Sequence, residues 1–192
     1  MSAPLPAGGN RRRETILAAA LDLFRERGFH SVGVDDIGTA AGISGPGVYR
    51  HFSGKSSLLV ALFDSITERM LLGAEEIQKM DCQPPEMLDR LVAFHVATAV
   101  EERALVAVLL QDGRSLPDSE EQRIQGRQAA YLGIWLATLA QVRPDLGPAE
   151  AESVVHAAVG AINSVAFHES ALPSPTLEGL LAEAARAVLR AA

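Results

Sequence analysis

Apolar positions recur at helical spacing along almost the whole chain. In residues 10–29, Ile16, Leu17, Ala20, Leu21 and Phe24 make an i, i+1, i+4, i+5, i+8 stripe, and Gly28 follows as a C-cap, which predicts a first helix. Asp35 and Asp36 then stand where carboxylates favour a helix start, Ile37, Ala40 and Ala41 form an apolar face, and Gly42 ends this second helix after barely two turns. Ser44 is the N-cap expected of a third helix, with Pro46 in its first turn and Val48 and Phe52 four apart on one face. Two short helices joined by a turn centred on Gly42 are a helix-turn-helix, with Ile43, Val48 and Phe52 packed inward and Tyr49, Arg50 and His51 left outside.

The remaining pattern predicts six more helices. "SGKSSLLVALFDSITERM" opens the fourth, with Lys55 in its first turn, where the helix dipole disfavours a cation unless an anion meets it. A helix starting at Pro85 carries Leu88, Leu91, Val92 and His95 on one face, and "RALVAVLLQDG" is nearly all apolar and so predicted to be buried. A long helix begins at an Asp118/Ser119 cap, and "GPAEAESVVHAAVGAINSVAFHES" and "PTLEGLLAEAARAVLRAA" are two more, each starting near Pro and rich in small residues. The fold class is therefore all-α. We expect about nine helices: an N-terminal three-helix domain in residues 1–55 and a C-terminal helical bundle in residues 56–192.

Composition agrees and adds a polarity. The chain is 48% hydrophobic but only 5% aromatic, as aliphatic helix packing requires. Its net charge of −7 is uneven: residues 1–55 hold seven Lys/Arg against five Asp/Glu, and the rest ten against nineteen. A cationic head on an acidic body confines affinity for phosphate to one end. The single Cys82 excludes an intramolecular disulfide and a cysteine-cluster zinc site. No apolar run is long enough to span a membrane and no signal-peptide pattern opens the chain, so a cytoplasmic protein is expected.

The stretch "GISGPGVYRHFSGKSS" ends like a nucleotide-binding loop, but position 49 is Tyr where that loop needs Gly, and no apolar strand leads in. No carboxylate pair, Ser/His/Asp spacing or H-E-x-x-H stands out, so we expect no enzyme, metal or cofactor.

Residues Ile16 to Phe63 resemble the DNA-binding region of TetR-type transcriptional regulators, whose motif reads small-Ser-x-x-x-aliphatic-Tyr-x-His/Tyr-Phe-x-x-Lys. The resemblance implies double-stranded operator DNA as partner, with Tyr49, His51 and Lys55 on phosphates and Ser44, Gly45, Pro46, Gly47 and Arg50 at or near the groove. The exposed reading turn holds Pro46 and Gly47 in place of the family's hydroxyl or alanine side chains, which removes hydrogen bonds to base edges. Gly45 and Gly47 let backbone approach the groove, Pro46 offers an apolar face to a thymine methyl, and Arg50 alone supplies a bidentate donor for guanine. Indirect readout should supply much of the remaining specificity. Arg11, Arg12 and Arg13 read either as a solvated arm or as an arm touching phosphate or minor groove.

In TetR-type proteins the last two helices build a four-helix dimer interface, and here Val155, Val159, Leu177, Leu180, Leu181, Ala184 and Val188 are the candidates, ordinary intrachain core being the alternative. The body is also similar to an actinobacterial TetR-type subgroup associated with fatty-acid or acyl-CoA metabolism. That similarity implies a small apolar effector, such as an acyl-CoA or fatty acid, whose polar group meets His95, Gln111, Arg114 or Asn163. Phe63, Met70, Leu110, Tyr131 and Trp135 complete the expected pocket, between helices 4 and 8, although Tyr131 and Trp135 also read as core and the histidines as ordinary hydrogen-bonded residues. Such an effector lowers DNA affinity by binding more tightly to a conformation with the wrong head spacing.

Overall fold

The computed structural model describes residues 7–191. Nine α-helices follow in chain order: α1 (Ala7–Arg27), α2 (Val34–Ala40), α3 (Gly45–Tyr49), α4 (Lys55–Gln78), α5 (Pro84–Glu101), α6 (Arg103–Asp112), α7 (Asp118–Val142), α8 (Pro148–Asn163) and α9 (Ser174–Arg190). Among the described residues there is no strand, and no helix is long and apolar enough to cross a membrane.

The predicted punctuation operates. Gly42 takes a φ of 68°, a left-handed conformation that costs a residue with a Cβ, and its N–H bonds Thr39 O at 3.1 Å to close α2. At the start of α2 the Asp36 carboxylate reaches back to the Gly33 N–H at 2.8 Å, and at α8 Glu150 does the same to Gly147 at 2.7 Å, satisfying donors that helix geometry orphans.

Two predicted boundaries differ. Residues 11–13 lie within α1 rather than in an arm, because Ala7–Asn10 continue the helix N-terminal to them. The third helix stops at Tyr49 after five residues, and the His51 and Phe52 N–H groups both turn back to Val48 O. Val48 and Phe52 are nevertheless buried, as their spacing requires.

Two apolar cores share α4 and α7. The first joins Ile16, Ala20 and Phe24 of α1 to Ile37, Val48 and Phe52, and extends to Leu105 and Val108 of α6 and Ile124 of α7. The second gathers α5, α7, α8 and α9 around Leu91, Trp135, Leu139 and Val155. The α4 side chains Leu58, Leu59, Leu62 and Phe63 enter the first, while Ala74 and Ile77 enter the second.

The interface candidates divide by burial. Val155, Leu177 and Leu181 are buried in the second core, where α8 and α9 meet α5 and α7. Leu180, 55% exposed, Ala184 and the half-buried Val188 lie on the outer face of α9.

Candidate nucleic-acid interface and effector chamber

The head presents α3 outward. Ser44, Pro46, Tyr49 and Arg50 are exposed, Tyr49 by 57%, and Gly47 and His51 are half-buried. Arg12 joins Ile43, Ser44, Gly47, Arg50 and His51 around a shallow concavity, so α1 contributes a cation beside the reading turn. Arg13 instead lays its guanidinium over the Phe52 ring, 4.5 Å from the centroid, and Arg11 is exposed on the same helix.

Two residues behave differently from the sequence expectation. Gly45 is buried, and a Cβ built on it would collide with Asp35 Oδ1, so its missing side chain admits α2. Lys55 meets its negative partners inside the protein. Its ammonium donates to the carbonyls of Phe29 at 2.8 Å, His30 at 3.2 Å and Val32 at 3.0 Å, and sits 4.5 Å from the Phe29 ring centroid. The unfavourable first-turn position is thus answered by carbonyl dipoles of the α1–α2 connection, with no external anion required.

A chamber of about 330 Å³ lies between α4 and α8. Met70, His95, Leu110, Tyr131 and Asn163 line it as the sequence predicts. Phe63 and Arg114 do not; they border a more polar concavity of about 430 Å³ alongside Gln111 and Gln125. The two spaces share Leu109, Leu110 and Gln128. Trp135 is fully buried behind the chamber as core. Sequence reasoning missed Thr67, Thr98, Gln128 and His156 here and gave Val159 to the dimer interface; all but His156 lie three or four positions from an identified residue, so helical spacing was the available signal.

The polar heart of the chamber is a chain of three side chains. Tyr131 Oη lies 2.9 Å from His95 Nδ1, and His95 Nε2 lies 3.1 Å from Asn163 Oδ1. Burial pushes the His95 pKa down to about 4, against a smaller upward pull from Asn163, so the ring is neutral near pH 7. Burial likewise raises that of the Tyr131 phenol. The Trp135 indole N–H is buried with no acceptor in hydrogen-bond geometry. Among the described residues no group of three or more His, Cys, Asp or Glu is placed to hold a metal ion.

A polar clamp ties the chamber wall to the head-bearing helix. Thr67 donates to Phe63 O at 2.7 Å and accepts from Arg127 Nη1 at 3.1 Å. Arg127 and Arg123 both grip Asp64, at 2.9 and 2.6 Å. Partial burial works to raise the Asp64 pKa, but hydrogen bonds from Arg123 and Arg127 outweigh it and hold the carboxyl below its ordinary range.

Residues 16–62 match the family model described as bacterial regulatory proteins, tetR family. The chain is 38% identical over 80 residues to the transcriptional activator FasR of Mycolicibacterium smegmatis, a match covering 37% of this chain and 36% of that protein. It is 31% identical over 134 residues to the transcriptional repressor KstR2 of Rhodococcus jostii, covering 69% of this chain and 66% of that one. In fold it resembles a TetR-family regulator of Bordetella parapertussis, with a TM-score of 0.85 at 20% identity over 93% of this chain and 94% of that one. It also resembles AibR in complex with isovaleryl coenzyme A and operator DNA, with a TM-score of 0.75 at 17% identity over 88% and 96%.

Proposed function

The chain belongs to the TetR family of bacterial regulatory proteins, and from that premise we propose that it is a homodimeric cytoplasmic repressor released from a palindromic operator by a small apolar effector. The observation that carries this reading is the double membership of α4. Leu58 to Phe63 belong to the core of the head, while Ile66, Thr67 and Met70 line the chamber. A ligand that favours one position of α4 thereby favours one position of the head.

Residues 1–55 bind DNA and residues 56–192 bind the effector and the second subunit. Arg50 reads a base pair; Tyr49, His51, Ser44 and Arg12 meet backbone or groove edge, with Arg11 close by; Lys55 and Gly45 act inside the head. The chamber is mostly apolar with a few convergent polar groups, which suits an acyl compound, and the CoA thioester held by the fold neighbour AibR is of that class. The dimer forms through the outer face of α9, around Leu180 and Ala184.

The test is fluorescence anisotropy on DNA from upstream of the protein's own gene, with and without a panel of apolar compounds. Nanomolar, salt-sensitive binding reversed by at least one compound is expected. Tight binding that no compound reverses, with a chamber shown closed in solution, would make this a regulator without an effector.

A further inference from the structure

The fifteen residues lining the chamber include no Asp, Glu, Lys or Arg. A ligand charge placed there has no countercharge, and burying an unpaired charge is costly. Three of the polar groups that do face the space form a hydrogen-bonded chain. Asn163 Oδ1 can only accept, so His95 Nε2 carries the ring hydrogen, Nδ1 is bare, and the Tyr131 O–H donates to it. Asn163 Oδ1 accepts from His95, and its amide NH2, which has no hydrogen-bond partner among the described residues, is left to donate. The Thr98 hydroxyl, also on the chamber wall, is a further donor.

We infer that the chamber selects an uncharged carbonyl oxygen, held by the Asn163 amide NH2, and disfavours a carboxylate. The ligand class is a compact apolar ketone, ester, amide or thioester. This rests on the effector reading above and narrows it, because free fatty acids leave the class. At about 330 Å³ the chamber lies at the small end of ligand-pocket volumes and suits a compact ligand. Anything larger leaves over Leu109 and Leu110 into the neighbouring polar concavity, where the exposed Arg114 stands. The carrier portion of an acyl thioester fits that exit.

Isothermal titration and Trp135 emission at pH 8 test the inference with the full-length protein. The probes are methyl octanoate, octanamide, the N-acetylcysteamine thioester of octanoic acid, octanoate and nonane. The three uncharged carbonyl compounds should bind at least tenfold more tightly than octanoate and than nonane. Thr98→Val, nearly isosteric, should shrink the margin over nonane several-fold, and Asn163→Leu should remove it while nonane still binds. A best probe that is the thioester identifies an acyl carrier as the source; a best probe that is the ester or amide identifies a free molecule, and either supports the carbonyl. Octanoate binding as tightly as the ester, or nonane doing so, overturns the inference. If none of the probes binds while another compound releases operator, the inference falls and the effector reading stands.

Discussion

Arg127 of α7 bridges Asp64 of α4 and the chamber wall: one guanidinium nitrogen lies 2.9 Å from the carboxylate and 3.1 Å from the Thr67 hydroxyl. Asp64 has its pKa lowered in the folded protein, so its contribution to stability is present above the unfolded value of about 3.9 and is lost as pH falls through the lower folded value. The groups are a fifth to two-fifths exposed, which keeps the static contribution of the clamp near that of surface pairs.

Asp64→Asn should accordingly lower stability by only about 1 kcal/mol at pH 7, and urea titrations should show the gap to wild type closing below about pH 4. The larger effect is on coupling. The effector's influence on operator affinity, on the order of 1–3 kcal/mol in such systems, should shrink in this variant while effector binding itself persists. Unchanged coupling would remove the clamp from the path between chamber and head.

His95 titrates in the opposite chemical sense but with the same outcome. Its folded pKa of about 4 lies below the unfolded value of about 6.5, so the unfolded chain binds the proton first. Stability is full above about pH 6.5 and falls as the pH drops toward 4, by an amount on the order of 3 kcal/mol from this one group. His95→Gln should flatten that part of the pH–stability profile, measured by chemical unfolding between pH 4 and 7. An unaltered slope would mean that other groups carry it.

Lys55 and Arg50 should separate cleanly as variants. Lys55→Met leaves three carbonyls without their charged donor and should cost roughly 1.5–3 kcal/mol of stability, with little change in the salt dependence of DNA binding. Arg50→Ala should leave stability alone and cost roughly 1–3 kcal/mol at one operator base pair. A salt slope lowered by about one in the Lys55 variant, with unaltered unfolding, would return that side chain to a phosphate.

Why some of this was legible in the sequence and some was not has a physical reason in each case. Helix ends at Gly28 and Gly42 and the inward pair Val48 and Phe52 are local events, written in φ preference and in spacing. The family similarity, laid over helical spacing, also brought Met70, His95, Leu110, Tyr131 and Asn163 to one chamber. Which neighbour covers a face is a tertiary matter. Asp35 against Gly45, the Phe29, His30 and Val32 carbonyls around Lys55, and the choice between core and interface for Val155, Leu177 and Leu181 all depend on an element distant in the chain.

That last choice yields the sharpest contrast between adjacent residues. Leu181 is 7% exposed and packed in the second core, whereas Leu180, one position earlier and a third of a turn around α9, is 55% exposed. Leu180→Glu places a charge on the outer face and Leu181→Glu places one in a packed interior, where an unpaired carboxylate is strongly destabilising. The first variant should remain folded by circular dichroism with a wild-type unfolding midpoint at high dilution, yet sediment as a monomer at micromolar concentration and lose operator affinity, because one head contacts only half of a two-fold site. The second should unfold or aggregate. A Leu180→Glu protein that still sediments as a dimer would move the subunit interface away from this face of α9.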